Sequence, residues 1–186
     1  MKRLFVAVEI QPGKTLAEAY QVIRTNLRME RINWVSSDHF HITLKFLGDT
    51  TEDEIPQIMS RIKDLCRGSK PFAISLTSIG VFKNLREPRI IWIGCQSTDP
   101  LKVIQVKLEC ALSEIGFEPE TREYSPHLTL GRMKEIRQIN PLTQLITNYK
   151  NFEFQSQAID RIILYESLLY PSGPQYNKIF EIILPG

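Results

Sequence analysis

Leu4 to Ile10 is an apolar, β-rich run and predicts a first strand. Leu16, Tyr20, Ile23 and Leu27 then recur at spacings of four, three and four, the buried stripe of a helix, with Thr15 and Glu18 as a capping box at its start. Trp34 to Gly48 is the next extended stretch. Thr51 and Glu54 open a second capped helix, which buries Ile55, Ile58, Ile62 and Leu65. Phe72 to Phe82 and Arg89 to Cys95 predict two strands joined by a loop carrying Asn84 and Pro88.

The same order then returns. Asp99 and Pro100 serve as N-cap and first-turn proline of a helix whose stripe is Leu101, Ile104, Leu108, Leu112 and Ile115, with Gly116 as its stop. Tyr124 to Met133 is a short strand. Asn140 and Pro141 open a helix carrying Leu142, Leu145 and Ile146. Two strands follow, near Phe152 to Leu168 and Tyr176 to Leu184, around the turn Pro171-Ser172-Gly173-Pro174. Each half reads as helix, strand, helix and a pair of strands, so the fold class is α+β with an internal duplication.

Composition narrows the setting. With 186 residues, 42% of them hydrophobic, the chain can bury about 70% of its extended surface, enough for one compact domain over residues 1–186. Lys and Arg (23) exceed Asp and Glu (21) by a net charge of +2, so a nucleic-acid contact has to be local rather than a basic coat. Cys66, Cys95 and Cys110 are widely spaced with no C-x-x-C, which indicates neither a disulfide framework nor a zinc knuckle. The segment Met1 to Gln11 is too short and too charged for a signal peptide, and no apolar stretch approaches the ~18 residues of a membrane span. The expectation is a soluble, cytoplasmic, monomeric protein.

The candidate chemistry lies on the middle strand of each half. His41-Ile42-Thr43-Leu44 and His127-Leu128-Thr129-Leu130 repeat 86 residues apart in matching contexts. On a strand, residues i and i+2 share a face, so each His and its Thr point one way while the aliphatic pair points into the core. Side by side, the two strands would line a cleft with two imidazoles of near-neutral pKa and two hydroxyls, and no carboxylate. That set suits a phosphate oxyanion, which Asp or Glu would repel.

These residues carry a resemblance. His41-Ile-Thr-Leu-Lys-Phe-Leu-Gly48, Ser125-Pro-His-Leu-Thr-Leu-Gly-Arg132, Arg3-Leu-Phe-Val-Ala-Val8, and the tail with Ser167 and Gly173-Pro-Gln-Tyr176 are similar to the two-histidine (2H) phosphoesterase superfamily. The nearest branch is the bacterial and archaeal RNA 2′,3′-cyclic phosphodiesterases, once called 2′-5′ RNA ligases. The resemblance implies a bilobal fold with a pseudo-two-fold axis, two interleaved lobes, and antiparallel sheets flanking a central cleft with helices outside. It also implies hydrolysis of an RNA 2′,3′-cyclic phosphate end, or of a small nucleotide, to a 2′-phosphomonoester without metal or other cofactor. Reversible 2′-5′ ligation is a further activity it suggests, with RNA processing (tRNA included) as the setting. His41 would be the proton donor, His127 the proton acceptor, and Thr43 and Thr129 the holders of phosphate oxygens. The sequence alone does not orient the histidine pair.

Phe46 and Arg132 each follow their His by five residues and are the candidate grips on the nucleotide. Ideal strand alternation turns both away from the His face; Gly131 could supply a bulge on the second strand, and nothing comparable marks the first. Lys45 shares the ideal face of His41, either touching phosphate or solvated. Tyr124, Ser167 and Tyr176 are cleft candidates by position, and Trp34 and Trp92 read as packing residues. Arg24, Arg28 and Arg31, and also Arg132, Lys134 and Arg137, read as solvated faces, the second group having the better claim to an RNA exit path. Two other readings stay open. His39, His41 and His127 could hold a catalytic metal ion, or the protein could bind RNA or nucleotide without catalysis.

Overall fold

The computed structural model describes residues 1–170 and 173–185, with backbone alone at 169, 173 and 174. Two antiparallel sheets hold the described strands. The first comprises β1 (Lys2–Glu9), β3 (His41–Thr50), β8 (Arg161–Tyr170) and β9 (Gly173–Ile183), in the order β3-β1-β8-β9. The second comprises β2 (Arg31–Trp34), β4 (Phe72–Phe82), β5 (Ile90–Gln96), β6 (His127–Glu135) and β7 (Glu153–Ile159), in the order β2-β6-β5-β4-β7. Each sheet therefore takes strands from both halves of the chain: β4 and β5 of the first half sit beside β6, and β8 and β9 of the second sit beside β1 and β3.

The helices α1 (Lys14–Asn26), α2 (Ile55–Cys66), α3 (Asp99–Ser113) and α4 (Ile139–Asn148) cover the outer faces. Strand alternation sends Leu4, Val6 and Val8 of β1, with Ile42 and Leu44 of β3, into one core that also takes Ile58 and Ile62 of α2 and Leu101 and Leu108 of α3. The opposite face of β1 packs Phe5 and Ala7 with Ile163 and Tyr165 of β8, a separate small cluster under the cleft. The two-half α+β architecture is the one the duplication predicts. No helix among the described residues is long and apolar enough to cross a membrane.

Local differences have physical reasons. The Thr15–Glu18 capping box does not form, because α1 enters two residues earlier, at an N-cap Gly13 whose amide is held by Gln155 Oε1 at 2.6 Å. The Thr51–Glu54 box does form, around a 3₁₀ turn (Glu52–Glu54) ahead of α2. Thr98, not Asp99, caps α3. The entry to α4 is supplied from a distance: the Glu30 carboxylate accepts the amides of Arg137 (2.5 Å) and Gln138 (3.2 Å), and Asn140 lies inside the helix. The stretch from Trp34 to Gly48 is broken by a 3₁₀ turn, Ser37–His39, that carries the chain from one sheet to the other. Phe152 to Leu168 likewise divides at Asp160 into β7 and β8, in different sheets. At the turn expected over 171–174, Pro171 and Ser172 lie outside the described residues.

Candidate active site: paired histidines on facing strands

The two His-x-Thr strands, β3 and β6, meet where the sheets face one another. His41 and Thr43 are half-buried while Ile42 and Leu44 are in the core, and His127, Thr129, Leu128 and Leu130 repeat the arrangement. Each histidine is tied in the same way. His41 Nδ1 lies 2.7 Å from the carbonyl of His39, and His127 Nδ1 lies 2.7 Å from that of Ser125. A carbonyl only accepts, so Nδ1 carries the proton and donates it, which leaves Nε2 as the free nitrogen of both rings. Burial pushes His41 down to about 4, with further lowering from the charges of His39 and His127, against the opposing pull of the His39 carbonyl. Burial also lowers His127, opposed by the Ser125 carbonyl. The charge of His127 contributes to the lowering of His41, and both shifts favour the neutral rings.

Bulges decide what else enters the cleft. Along β1, Val6 pairs with Lys45 and Ala7 with Thr43, so Leu44 is an extra residue in β3. Along β5, Ile91 pairs with Gly131 and Trp92 with Thr129, so Leu130 is the extra residue in β6. The two bulges stand at equivalent points of the repeat. Each resets the alternation: Leu44 and Lys45 turn inward together, as do Leu130 and Gly131, and Phe46 and Arg132 emerge exposed. The Phe46 ring lies 6.0 Å from Phe5 of the cleft cluster and is 67% exposed. Arg132 reaches across toward Tyr176 of β9, whose ionisation it favours against burial. Both residues thus share the cleft side with the histidines, contrary to ideal alternation.

Lys45 does neither of the things expected of it. The bulge turns it into the protein, where Nζ sits 2.5 Å from Glu109 Oε2 of α3 and donates to the Glu118 carbonyl at 2.8 Å. At the equivalent place in β6 there is no room for a side chain, since a Cβ on Gly131 would lie 2.8 Å from Ile32 Cγ2.

Aromatic rings back both histidines. His41 has Phe5 at 5.0 Å and Tyr176 at 5.1 Å, and His39 also packs against Tyr176, at 5.2 Å. His127 has Phe82 edge-on at 4.6 Å and Trp92 at 6.4 Å. Trp34 packs on the core, but Trp92 is a cleft residue that sequence patterning did not place. Its signal was the glycine beside it: a Cβ on Gly80 would meet Trp92 Cζ2 at 2.2 Å, so the indole lies flat on that strand. Tyr124 joins the two halves, its hydroxyl donating to the Thr43 carbonyl at 3.0 Å. Ser167 is half-buried and pairs in register with Tyr176. Arg24 lies over the Tyr20 ring at the outer helix, and Arg31 and Arg137 pair with Glu135.

Two cavities lie near the site. One of about 380 Å³ is lined by Trp92, Gly94, Lys102, Tyr124 and Ser125, with Pro126 but not His127 itself on its wall. Its counterpart beside His41, walled by Glu9, His39, Tyr165, Tyr176 and Lys178, holds only about 60 Å³. His39 sits at the end of the 3₁₀ turn rather than on a strand face with His41. Among the described residues, no three His, Cys, Asp or Glu side chains converge on a point where they could hold a metal ion.

The family described as LigT like Phosphoesterase matches residues 6–92 and again residues 93–176, one match per half. The chain belongs to the LigT-like phosphoesterases. Among its relatives in this family, the RNA 2′,3′-cyclic phosphodiesterase of Methanothermobacter thermautotrophicus is 35% identical over 179 residues, covering 95% of this chain and 96% of the relative. That of Bacillus subtilis is 30% identical over 180 residues, covering 97% and 95%. The LigT-like fold is also shared with a solved protein of Thermus thermophilus, TT0787, at 25% identity and a TM-score of 0.79 over 98% of this chain and 97% of that one. Escherichia coli LigT, solved with 3′-AMP, shares the fold at 23% identity and a TM-score of 0.76, over 100% of this chain and 99% of that one.

Proposed function

We propose that this LigT-like phosphoesterase hydrolyses RNA 2′,3′-cyclic phosphate ends to 2′-phosphomonoesters by metal-independent acid–base catalysis between His41 and His127. The observation that carries the reading is the matched Nδ1-to-carbonyl bond of the two rings, which frees both Nε2 atoms for proton transfer. Water attacks phosphorus in line with the 3′ oxygen. His127 Nε2 takes the water proton, the P–O3′ bond breaks, and His41 Nε2 donates its proton to O3′. Each transfer contributes roughly 10²–10⁴-fold.

His41 must be charged to act as the acid, and burial alone keeps it neutral near pH 7. The anionic phosphate provides the opposite charge against which it takes up a proton on substrate binding. Thr43 and Thr129 hold the non-bridging oxygens as charge develops, while Phe46 and Arg132 flank the nucleoside by stacking and charge. Both sides of the cleft come from one chain, so a monomer suffices. The free thiols of Cys66, Cys95 and Cys110 suit a reducing cytoplasm. With an RNA 5′-hydroxyl in place of water as the nucleophile, the same two groups carry out 2′-5′ ligation: the base takes the hydroxyl proton, the P–O3′ bond breaks and the acid protonates O3′.

The test is hydrolysis of nucleoside 2′,3′-cyclic phosphates in EDTA by wild type, His41→Ala and His127→Ala, with the product isomer identified. Exclusive 2′-phosphate from wild type and near-silence from both variants is the expected result. A 3′-phosphate product would reassign the leaving oxygen, and activity that returns only with added metal would overturn the mechanism. Retained nucleotide binding without turnover in wild type would leave a binding protein.

A further inference from the structure

We infer that the β4–β5 hairpin is a docking track for the phosphodiester backbone of the RNA leading to the cyclic end. The inference rests on the proposed reading of the cleft, and it makes the preferred substrate an oligonucleotide rather than a mononucleotide. The hairpin rises from the site itself. Its first foot, Phe82, is the ring against His127, and its second, Ile90, pairs with Arg132. Between them the chain carries Lys83, Arg86 and Arg89, all exposed, and the Arg89 carbonyl accepts the Met133 amide at 2.8 Å, fastening the hairpin to β6. Lys134 follows on that strand, exposed. Five cations thus gather at one rim of a protein whose net charge is only +2.

The hairpin is also preset. Asn84 Oδ1 accepts the amides of Arg86 (2.9 Å) and Glu87 (3.0 Å), closing an Asx turn after Lys83 in the left-handed region at φ 74°. Glu87 partners both Lys83 and Arg89 and offsets part of their charge. Neither Arg86 nor Arg132 has a carboxylate partner among the described residues, so two guanidinium groups remain for phosphate. Leu85, 40% exposed at the tip, offers an apolar contact to a base or ribose. Cations set along a rigid edge, with one apolar contact and no base-edge readers, fit a single strand held by its backbone without sequence preference.

The experiment compares wild type, Arg86→Glu and Lys83→Asn (Asn tolerates the left-handed backbone). Fluorescence anisotropy reads binding of a short oligoribonucleotide ending in a 2′-phosphate, at low and moderate salt. Hydrolysis is followed on a tetranucleotide and a mononucleotide 2′,3′-cyclic phosphate. The expected result is roughly tenfold weaker oligonucleotide binding by Arg86→Glu, with a salt slope shallower by about 0.7 for each phosphate no longer neutralised. The tetranucleotide-to-mononucleotide ratio of kcat/KM falls in parallel, and Lys83→Asn shifts both measures in the same direction. Binding and salt slope unchanged in both variants would overturn the track. Failure of wild type to hydrolyse either cyclic phosphate would instead reject the proposed reaction, while the binding arms still decide the role of the hairpin.

Discussion

His41 shows how a single buried ring couples chemistry to stability. It takes a proton in the folded protein only near pH 4, whereas in the unfolded chain it does so near its ordinary 6.5. Between those values the unfolded state binds more protons, so stability falls as pH is lowered from 6.5 toward 4 and gains nothing from this group above 6.5. His127 adds in the same direction. In His41→Asn the urea midpoint should therefore drop less between pH 7 and pH 5 than in wild type, and equal drops would contradict the burial account. The histidines, threonines and their shared face could be read from the i, i+2 spacing alone. Their aromatic backing could not, because Phe5, Phe82 and Tyr165 reach the rings from other strands, and an apolar residue facing the cleft looks in sequence like one facing the core.

At the level of elements, the bulge in β3 is held from behind. Lys45 and Glu109 form an ion pair with only 3% and 12% of their side chains exposed, and Glu109 also accepts Gln105 Nε2 (3.1 Å) and the Glu120 amide (3.2 Å). Removing one partner of such a pair leaves a buried charge, so Glu109→Ala should destabilise by about 3–5 kcal/mol in chemical denaturation. The double variant Lys45→Met/Glu109→Leu should recover much of that loss. If the single variant costs no more than an exposed pair would, the Lys45 ammonium is being satisfied by other means. The same bulge marks where sequence reading of the elements stopped. Apolar periodicity located every helix and most strands, but β3 carries no glycine at the Leu44 bulge, so nothing in the sequence showed that the alternation resets before Phe46. The sheet changes at Ser37–His39 and Asp160 were hidden for a related reason: an extended chain keeps its β-rich composition while exchanging neighbours.

Across the whole molecule, few bonds set the separation of the two histidines. Tyr124, three residues before His127, donates to the carbonyl of Thr43, two residues after His41. Tyr124→Phe should cost about 1 kcal/mol of stability and lower kcat more than it raises KM, since it relaxes the spacing of acid and base rather than nucleotide contacts. An unchanged kcat would assign the spacing to the sheets alone. On the far side, Gln155 and Gln157 of β7 exchange hydrogen bonds with Gly13, Gln11 and the Glu9 carbonyl, latching one sheet to the other. The duplication is visible in the sequence and the family resemblance implies interleaved lobes, but the residues alone do not show which strand pairs the halves exchange, because pairing partners leave no periodicity. That exchange imposes a timetable on synthesis. β1 must wait for β8, which begins only at residue 161. At ordinary translation rates of 5–20 residues per second the gap is roughly 10–30 s. Through that interval the nascent chain presents one edge of β1 unpaired, so a chaperone that shields a bare strand edge has its longest opportunity during manufacture.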